Sequence, residues 1–129
     1  MKLRIRDNSL RLRLERGEVA ALRDQQQVAA STGFANGAVF SYRVESSRAS
    51  QDLEAVYENN ALIVRIPAAT VHAWADSGQI SIQGEQELPE GEFLAILVEK
   101  DFACLAPRDG EDESDMYPHP EAGNTTVTC

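Results

Sequence analysis

Arginine is the residue type in this chain whose spacing most clearly suggests chemistry. In several short segments it alternates with apolar residues, so that the guanidinium groups would share one face of a β-strand. Guanidinium groups hold phosphate and carboxylate groups through charge-assisted, often bidentate, hydrogen bonds. The pattern therefore predicts anion binding. The candidate ligand-binding residues are Arg4, Arg6, Arg11, Arg13, Arg43 and Arg65.

Glutamates occupy comparable positions on the same predicted strands, among them Glu54, Glu58 and Glu99. If the strands close into a wide barrel, arginines and glutamates line its lumen, and the glutamates could hold Mg²⁺ against a bound phosphate. The alternative is that the basic strand 2–6 and the acidic strand 53–58 pair their charges across a solvated sheet face. That alternative requires no ligand.

Two further groups of residues carry ligand-type side chains without a recognisable spacing. Cys104, Asp101 and His119 match no known metal-site pattern, and the acidic stretch 109–115 lacks the alternation of a calcium loop. We therefore predict no metal site. We also predict no cofactor, apart from Mg²⁺ under the phosphate-binding hypothesis.

The elements that position the arginines follow from an internal repeat. A shift of 52 residues aligns Leu10 with Leu62 and Arg13 with Arg65, and a shift of 54 aligns 39–45 with 93–99. Self-similarity of this kind indicates a repeated structural unit. In each copy, alternating strands and a short amphipathic segment predict the order ββαββ.

The predicted fold is therefore α+β. The duplicated ββαββ unit is expected to form an eight-stranded antiparallel sheet or barrel with two packed helices. The first helix is predicted over residues 15–26, and the second follows Pro67 and buries Trp74. We predict a single domain, 1–129, with repeat 1 at 1–46, repeat 2 at 53–100 and an irregular acidic C-terminal extension at 101–129.

Charge and composition limit the classes of partner. The 129 residues carry a net charge of -9, yet seven of the twelve basic residues lie within 1–23. An acidic surface disfavours nonspecific nucleic-acid binding, which depends on neutralising phosphates. We expect no nucleic-acid and no membrane partner, since no segment is apolar enough to span a bilayer. Two cysteines and the lack of a signal peptide predict a cytoplasmic protein.

The repeated strand and helix order resembles the triphosphate-tunnel (CYTH-like) fold, whose members bind or hydrolyse tri- and pyrophosphates. That resemblance implies a phosphohydrolase acting on a triphosphate-type substrate. The first strand of that family alternates Glu, Glu and Lys, where this chain has Lys2, Arg4 and Arg6. The departure removes the glutamates that would hold the metal.

Residues 7–14 (DNSLRLRL), 98–105 (VEKDFACL) and 110–115 (GEDESD) are similar to a family of small uncharacterised bacterial proteins. The resemblance runs from residue 1 to about residue 120, and it implies a bacterial cytoplasmic protein without an assigned activity. The sequence therefore favours a noncatalytic binding or interaction protein with an unknown protein partner or a small anionic ligand. An anion- or phosphate-binding barrel with hydrolase activity is the alternative. A third hypothesis is that a sheet edge or the acidic loop docks a partner protein, which would show as oligomerisation.

Overall fold

The computed structural model describes residues 1–102 and 115–118, which contain eight strands, two α-helices and a single 3-10 turn at Pro89–Gly91. The elements follow one another in the order strand, strand, helix, strand, strand, and that order occurs twice. The elements are β1 (Lys2–Arg6), β2 (Ser9–Leu14), α1 (Arg16–Gln25), β3 (Gln27–Gly33), β4 (Val39–Ser47), β5 (Glu54–Glu58), β6 (Ala61–Pro67), α2 (Ala68–Ala75), β7 (Ser81–Glu87) and β8 (Phe93–Lys100).

The hairpins β1–β2, β3–β4 and β5–β6 each contain a turn residue that tolerates a left-handed backbone. Asp7, Asn59 and Asn60 have φ angles of 48°, 50° and 61°. These values suit Asp and Asn, whose short polar side chains make the left-handed region accessible. Gly37 (φ 87°) completes the predicted Asn-Gly hairpin between β3 and β4.

The strands form two separate four-stranded sheets. Sheet A has the order β1-β2-β8-β7, and sheet B has the order β3-β4-β6-β5. The outer pairs of each sheet are antiparallel, whereas the central pairs, β2 with β8 and β4 with β6, are parallel. Each sheet thus takes one hairpin from the first strand-strand-helix-strand-strand unit and one from the second.

This arrangement corrects part of the predicted fold. The α+β class and the two helices are confirmed, but the strands form neither one eight-stranded antiparallel sheet nor a closed barrel. The strands divide into two sheets because each helix connects a hairpin of one sheet to a hairpin of the other. The duplication itself stays an interpretation of the sequence.

The core lies between the two sheets and beneath the helices. From sheet A it takes Leu10, Leu12, Leu14, Ile82, Ile96 and Val98, and from sheet B it takes Val44, Leu62, Val64 and Ile66. The helices add Val19, Leu22, Val71 and Trp74. Since alternate residues of a strand face opposite sides, the residues between these apolar positions lie on the two outward faces of the molecule.

The described part of the C-terminal extension contacts sheet A and α1. Tyr117 N–H donates to the Asp101 carbonyl (2.8 Å), and the rings of Phe102 and Tyr117 lie 5.6 Å apart. The Asp115 carbonyl accepts from Arg16 N–H (3.0 Å) at the start of α1. Cys104, His119 and most of the acidic stretch 109–115 lie outside the described residues.

No helix of the described chain is long and apolar enough to cross a bilayer.

Candidate anion-binding groove

The six predicted arginines do not converge on one site, because the barrel that would have enclosed them does not form. Arg4 and Arg6 on β1, with Arg11 and Arg13 on β2, lie on the outward face of sheet A. Arg43 on β4 and Arg65 on β6 lie on the outward face of sheet B. The two sets are separated by the apolar core, so they are two sites with different surroundings.

On sheet B the arginines are balanced by carboxylates. Arg43 Nε and Arg65 Nε donate to the two oxygens of Glu45, at 2.7 and 3.2 Å. Arg65 Nη1 also lies 3.9 Å from Glu54, a residue of the neighbouring strand β5. Burial alone would raise the pKa of Glu45, but the hydrogen bonds from both arginines outweigh it and lower that pKa below its ordinary value. These two arginines and two glutamates form a closed ion-pair cluster.

On sheet A a single carboxylate serves two arginines. Arg11 Nε and Arg13 Nε both donate to Oε1 of Glu99, each at 2.7 Å, and Arg11 Nη2 lies 2.6 Å from the same oxygen. Lys2, the cross-strand neighbour of Arg13, lies 3.3 Å from Asp101. Two guanidinium groups thus share one negative charge.

The two clusters occupy equivalent positions in the two sheets. Arg13 lies opposite Glu99 in the parallel pair β2–β8, as Arg65 lies opposite Glu45 in the parallel pair β4–β6. Two positions earlier, Arg11 lies opposite Leu97 and Arg43 lies opposite Ile63. Each sheet therefore has two arginines in its cluster. In sheet A both lie on β2, whereas in sheet B Arg65 lies on β6 and Arg43 lies on the parallel partner strand β4.

The edge strands beside the clusters differ in charge. The cross-strand neighbours of Arg65 and Ile63 on β5 are Glu54 and Val56. The cross-strand neighbours of Arg13 and Arg11 on β1 are Lys2 and Arg4. Sheet B thus adds a carboxylate beside its arginines, whereas sheet A adds more positive charge.

The basic and acidic edge strands also belong to different sheets. β1 ends sheet A and β5 ends sheet B, so residues 2–6 and 53–58 cannot pair their charges across one face. The predicted pairing of these two strands is therefore wrong, although arginines and glutamates do pair on the outward faces of both sheets. In the described part of the chain, neither Arg4 nor Arg6 has a carboxylate within ion-pairing distance.

Arg4, Arg6 and Arg11 line one side of an open groove of about 670 Å³ on the outward face of sheet A. Ser9, Ala95 and Leu97 lie in its middle, and Gln83 and Glu85 of β7 lie on its far side. β1 and β7 are the two edges of this sheet, three strand spacings or about 14 Å apart. A volume of this size falls within the range of small-molecule sites.

Sequence reasoning missed the residues that complete the groove. Gln83, Ser9 and Ala95 carry no distinctive motif, and they reach the groove only because β2 pairs with β8 across the whole length of the chain. Glu85 and Glu99 were recognisable as polar-face residues of alternating strands, but the sheet to which they belong was not. Among the residues described, no cluster of three or more His, Cys, Asp or Glu side chains could hold a metal ion.

Residues 1–121 match the family model of a family of unknown function, DUF7009. No curated protein and no solved structure matches the chain.

Proposed function

This chain belongs to the family of unknown function DUF7009, and we propose that it is a noncatalytic binding protein whose groove on sheet A holds an anionic group of a small ligand. Arg4, Arg6 and Arg11 supply the positive charge, and Arg13 supports Arg11 by sharing Glu99 with it. The Ser9 hydroxyl, in the middle of the groove, donates to the Arg6 carbonyl (2.6 Å) and is therefore not counted among the donors to the anion.

The observation that carries this proposal is the placement of Arg4 directly opposite Arg11 on the neighbouring strand. Like charges in that relationship are unfavourable, so they weaken a sheet unless something lies between them. Sheet B is built like sheet A, from two antiparallel hairpins whose inner strands pair in parallel. Its arginines are balanced by Glu45 and Glu54. The same framework is therefore built in sheet B without an excess of positive charge. An anion that binds the guanidinium groups of both Arg4 and Arg11 would account for the excess on sheet A.

The rest of the groove limits the ligand class. The middle is formed by small or apolar residues, Ala95 and Leu97, which suit a neutral or planar part of a ligand. Glu85 and Gln83, about 14 Å from β1, suit an amino group or another hydrogen-bond donor. We therefore propose a ligand with a phosphate or carboxylate group at one end and a donor group at the other.

Arg43 and Arg65 are assigned a structural role under this proposal. Their guanidinium groups are paired with two carboxylates, Glu45 and Glu54, whereas Arg11 and Arg13 share the single carboxylate of Glu99. An additional anion would have to displace these carboxylates. The anion site therefore uses four of the six predicted arginines.

A thermal-shift titration with inorganic tripolyphosphate, with and without Mg²⁺, tests the proposal. A ligand that binds only the folded state adds about 2.7 kcal/mol of stability at a hundred times its dissociation constant. For a domain of this size that is a rise of several degrees in Tm. The test variant is Arg4→Ala/Arg11→Ala. The control variant is Arg23→Ala/Arg48→Ala, which removes the same charge from α1 and from the loop after β4.

We expect a saturable rise in Tm for the wild type and for the control variant, and no rise for Arg4→Ala/Arg11→Ala. An equal rise in all three proteins would mean nonspecific ion binding and would contradict the groove assignment. Release of inorganic phosphate in the presence of Mg²⁺ would replace the binding role with that of a phosphohydrolase.

A further inference from the structure

Strand β3 forms one edge of sheet B and carries no charged residue along its seven positions, QVAASTG. Gln27, Ala29, Ser31, Thr32 and Gly33 are exposed, and the strand contains neither proline nor a bulge. Exposed edges normally carry charges, prolines or bulges that prevent pairing with another chain. β3 has none of these protections.

The hydrogen bonds at both ends of the β3–β4 hairpin show which backbone groups of β3 point outward. Ser46 N–H donates to Gln26 O and Phe34 N–H donates to Ala38 O, each at 2.9 Å. In an antiparallel pair, hydrogen-bonded and non-hydrogen-bonded positions alternate. In this register the backbone N–H and C=O groups of the even-numbered residues of β3 point towards β4. The N–H and C=O groups of Gln27, Ala29, Ser31 and Gly33 face away from β4.

The other three edges are unsuited to pairing with their own copies. β1 carries Lys2, Arg4 and Arg6, β5 carries Glu54 and Glu58, and β7 carries Glu85 and Glu87. An antiparallel pair of identical strands would place these like charges near one another, which is unfavourable. β5 is also covered in part, because Ala55 N–H donates to the side chain of Gln86 (2.9 Å).

We propose that the β3 edge is a self-association surface, which pairs with β3 of a second copy of this chain in antiparallel orientation about Ala30. This register opposes Gln27 with Gly33, Ala29 with Ser31 and Val28 with Thr32 of the second copy, so that no charge opposes a like charge. The outward N–H and C=O groups of the odd-numbered residues then find partners. Two copies of sheet B become one continuous eight-stranded sheet.

The proposal does not rest on the groove of sheet A, which lies on the other sheet. Its contacts are backbone hydrogen bonds and small neutral side chains. We therefore expect self-association to be insensitive to salt, whereas anion binding by arginines weakens as salt rises. That difference separates the two proposals experimentally.

Sedimentation velocity from about 1 μM to about 1 mM protein, a range that covers weak dimers, tests the self-association. The test variant is Ser31→Pro, which removes an outward N–H without touching the β3–β4 hydrogen bonds. The control is Ser31→Ala, which retains the N–H. Ala29→Lys is a second test variant, because the added lysines of the two copies would lie close together near the twofold axis. Circular dichroism checks that every variant is folded.

We expect the wild type and Ser31→Ala to shift from monomer to dimer over this range, and Ser31→Pro and Ala29→Lys to remain monomeric. Amide hydrogen exchange at Gln27, Ala29 and Gly33 should slow on concentrating the wild type and Ser31→Ala, but not on concentrating Ser31→Pro. A wild type that stays monomeric at about 1 mM, or a dimer that persists in both folded test variants, would overturn the proposal.

Discussion

Arg4 is the direct cross-strand neighbour of Arg11, and Arg11 shares the single carboxylate of Glu99 with Arg13. At the equivalent place in sheet B, the strand pair β5–β6 sets Val56 beside Ile63 and Glu54 beside Arg65. The two sheets thus use one framework with two charge patterns. We attribute the unbalanced pattern to ligand binding and the balanced one to stability, and this division predicts opposite effects for arginine substitutions on the two faces.

Arg4→Ala is expected to leave the free energy of unfolding unchanged or to raise it by up to about 1 kcal/mol in the absence of anions, because it removes a like-charge contact. The same substitution should abolish the tripolyphosphate response. Urea denaturation in a buffer without multivalent anions measures the first effect. A loss of stability greater than 1 kcal/mol would mean that Arg4 has a structural partner and would contradict the assignment.

Arg65→Ala is expected to lower the free energy of unfolding by about 1 to 2 kcal/mol, because it removes a charged hydrogen bond to the partly buried Glu45. Its response to tripolyphosphate should equal that of the wild type. Denaturation and thermal-shift measurements on the same samples check both expectations. Equal stability of Arg65→Ala and Arg4→Ala would show that the two faces do not differ.

Glu45 is expected to give the protein part of its stability near neutral pH. Its pKa in the folded state lies below the ordinary value of 4.5, so its contribution is present above pH 4.5 and is lost as the pH falls through the folded-state pKa. The stability difference between the wild type and Glu45→Gln should therefore shrink as the pH falls below 4.5. Urea denaturation of both proteins at a series of pH values measures this difference.

The comparison with Glu45→Gln is needed because another glutamate acts in the opposite direction. Burial and the nearby Glu18 raise the pKa of Glu15, so its cost to stability diminishes as the pH falls. The wild-type curve alone mixes the two effects. A stability difference between wild type and Glu45→Gln that stays constant with pH would contradict the proposed role of the Arg43–Glu45–Arg65 cluster.

Trp74 is expected to contribute mainly through packing. It is fully buried, and its Nε1–H donates to Ile80 O (3.0 Å), which also accepts from Lys100 N–H (3.0 Å). Trp74→Ala should lower the free energy of unfolding by about 3 to 5 kcal/mol. Trp74→Phe should cost clearly less, because the phenyl ring keeps much of the packing, whereas both variants lose the indole hydrogen bond and leave Ile80 O with the bond from Lys100 N–H. Similar losses in both variants, measured by urea denaturation, would show that the indole hydrogen bond dominates.

The sequence predicted local structure well, because the relevant signals lie within a few residues of each other. The alternation of Leu10, Leu12 and Leu14 with arginine identified β2 and its buried face, and Trp74 was correctly expected in the core. The pairing of strands could not be predicted in the same way. Alternation shows which residues share a face of one strand, but it does not show that β2 lies beside β8, which is more than 80 residues away.

The candidate site was affected by the same limit. All six arginines were recognised by type and spacing, yet their division into two faces depends on which hairpins share a sheet. The repeat also concealed one relationship. The self-alignment sets Arg11 against Ile63 and Arg43 against Leu97, so neither arginine has an arginine at its aligned position. Across the parallel strand pairs, however, Arg11 lies opposite Leu97 and Arg43 lies opposite Ile63, which are equivalent places in the two sheets.

The most direct test of the groove is a two-dimensional NMR titration of ¹⁵N-labelled protein with tripolyphosphate, in which the arginine Nε–Hε and backbone amide signals are followed. We predict saturable shifts for Arg4, Arg6 and Arg11 and for the amides of β1 and β2, with Arg43 and Arg65 unchanged. Shifts spread over both sheets, or no saturable shift on β1 and β2, would contradict the assignment of sheet A as an anion-binding surface.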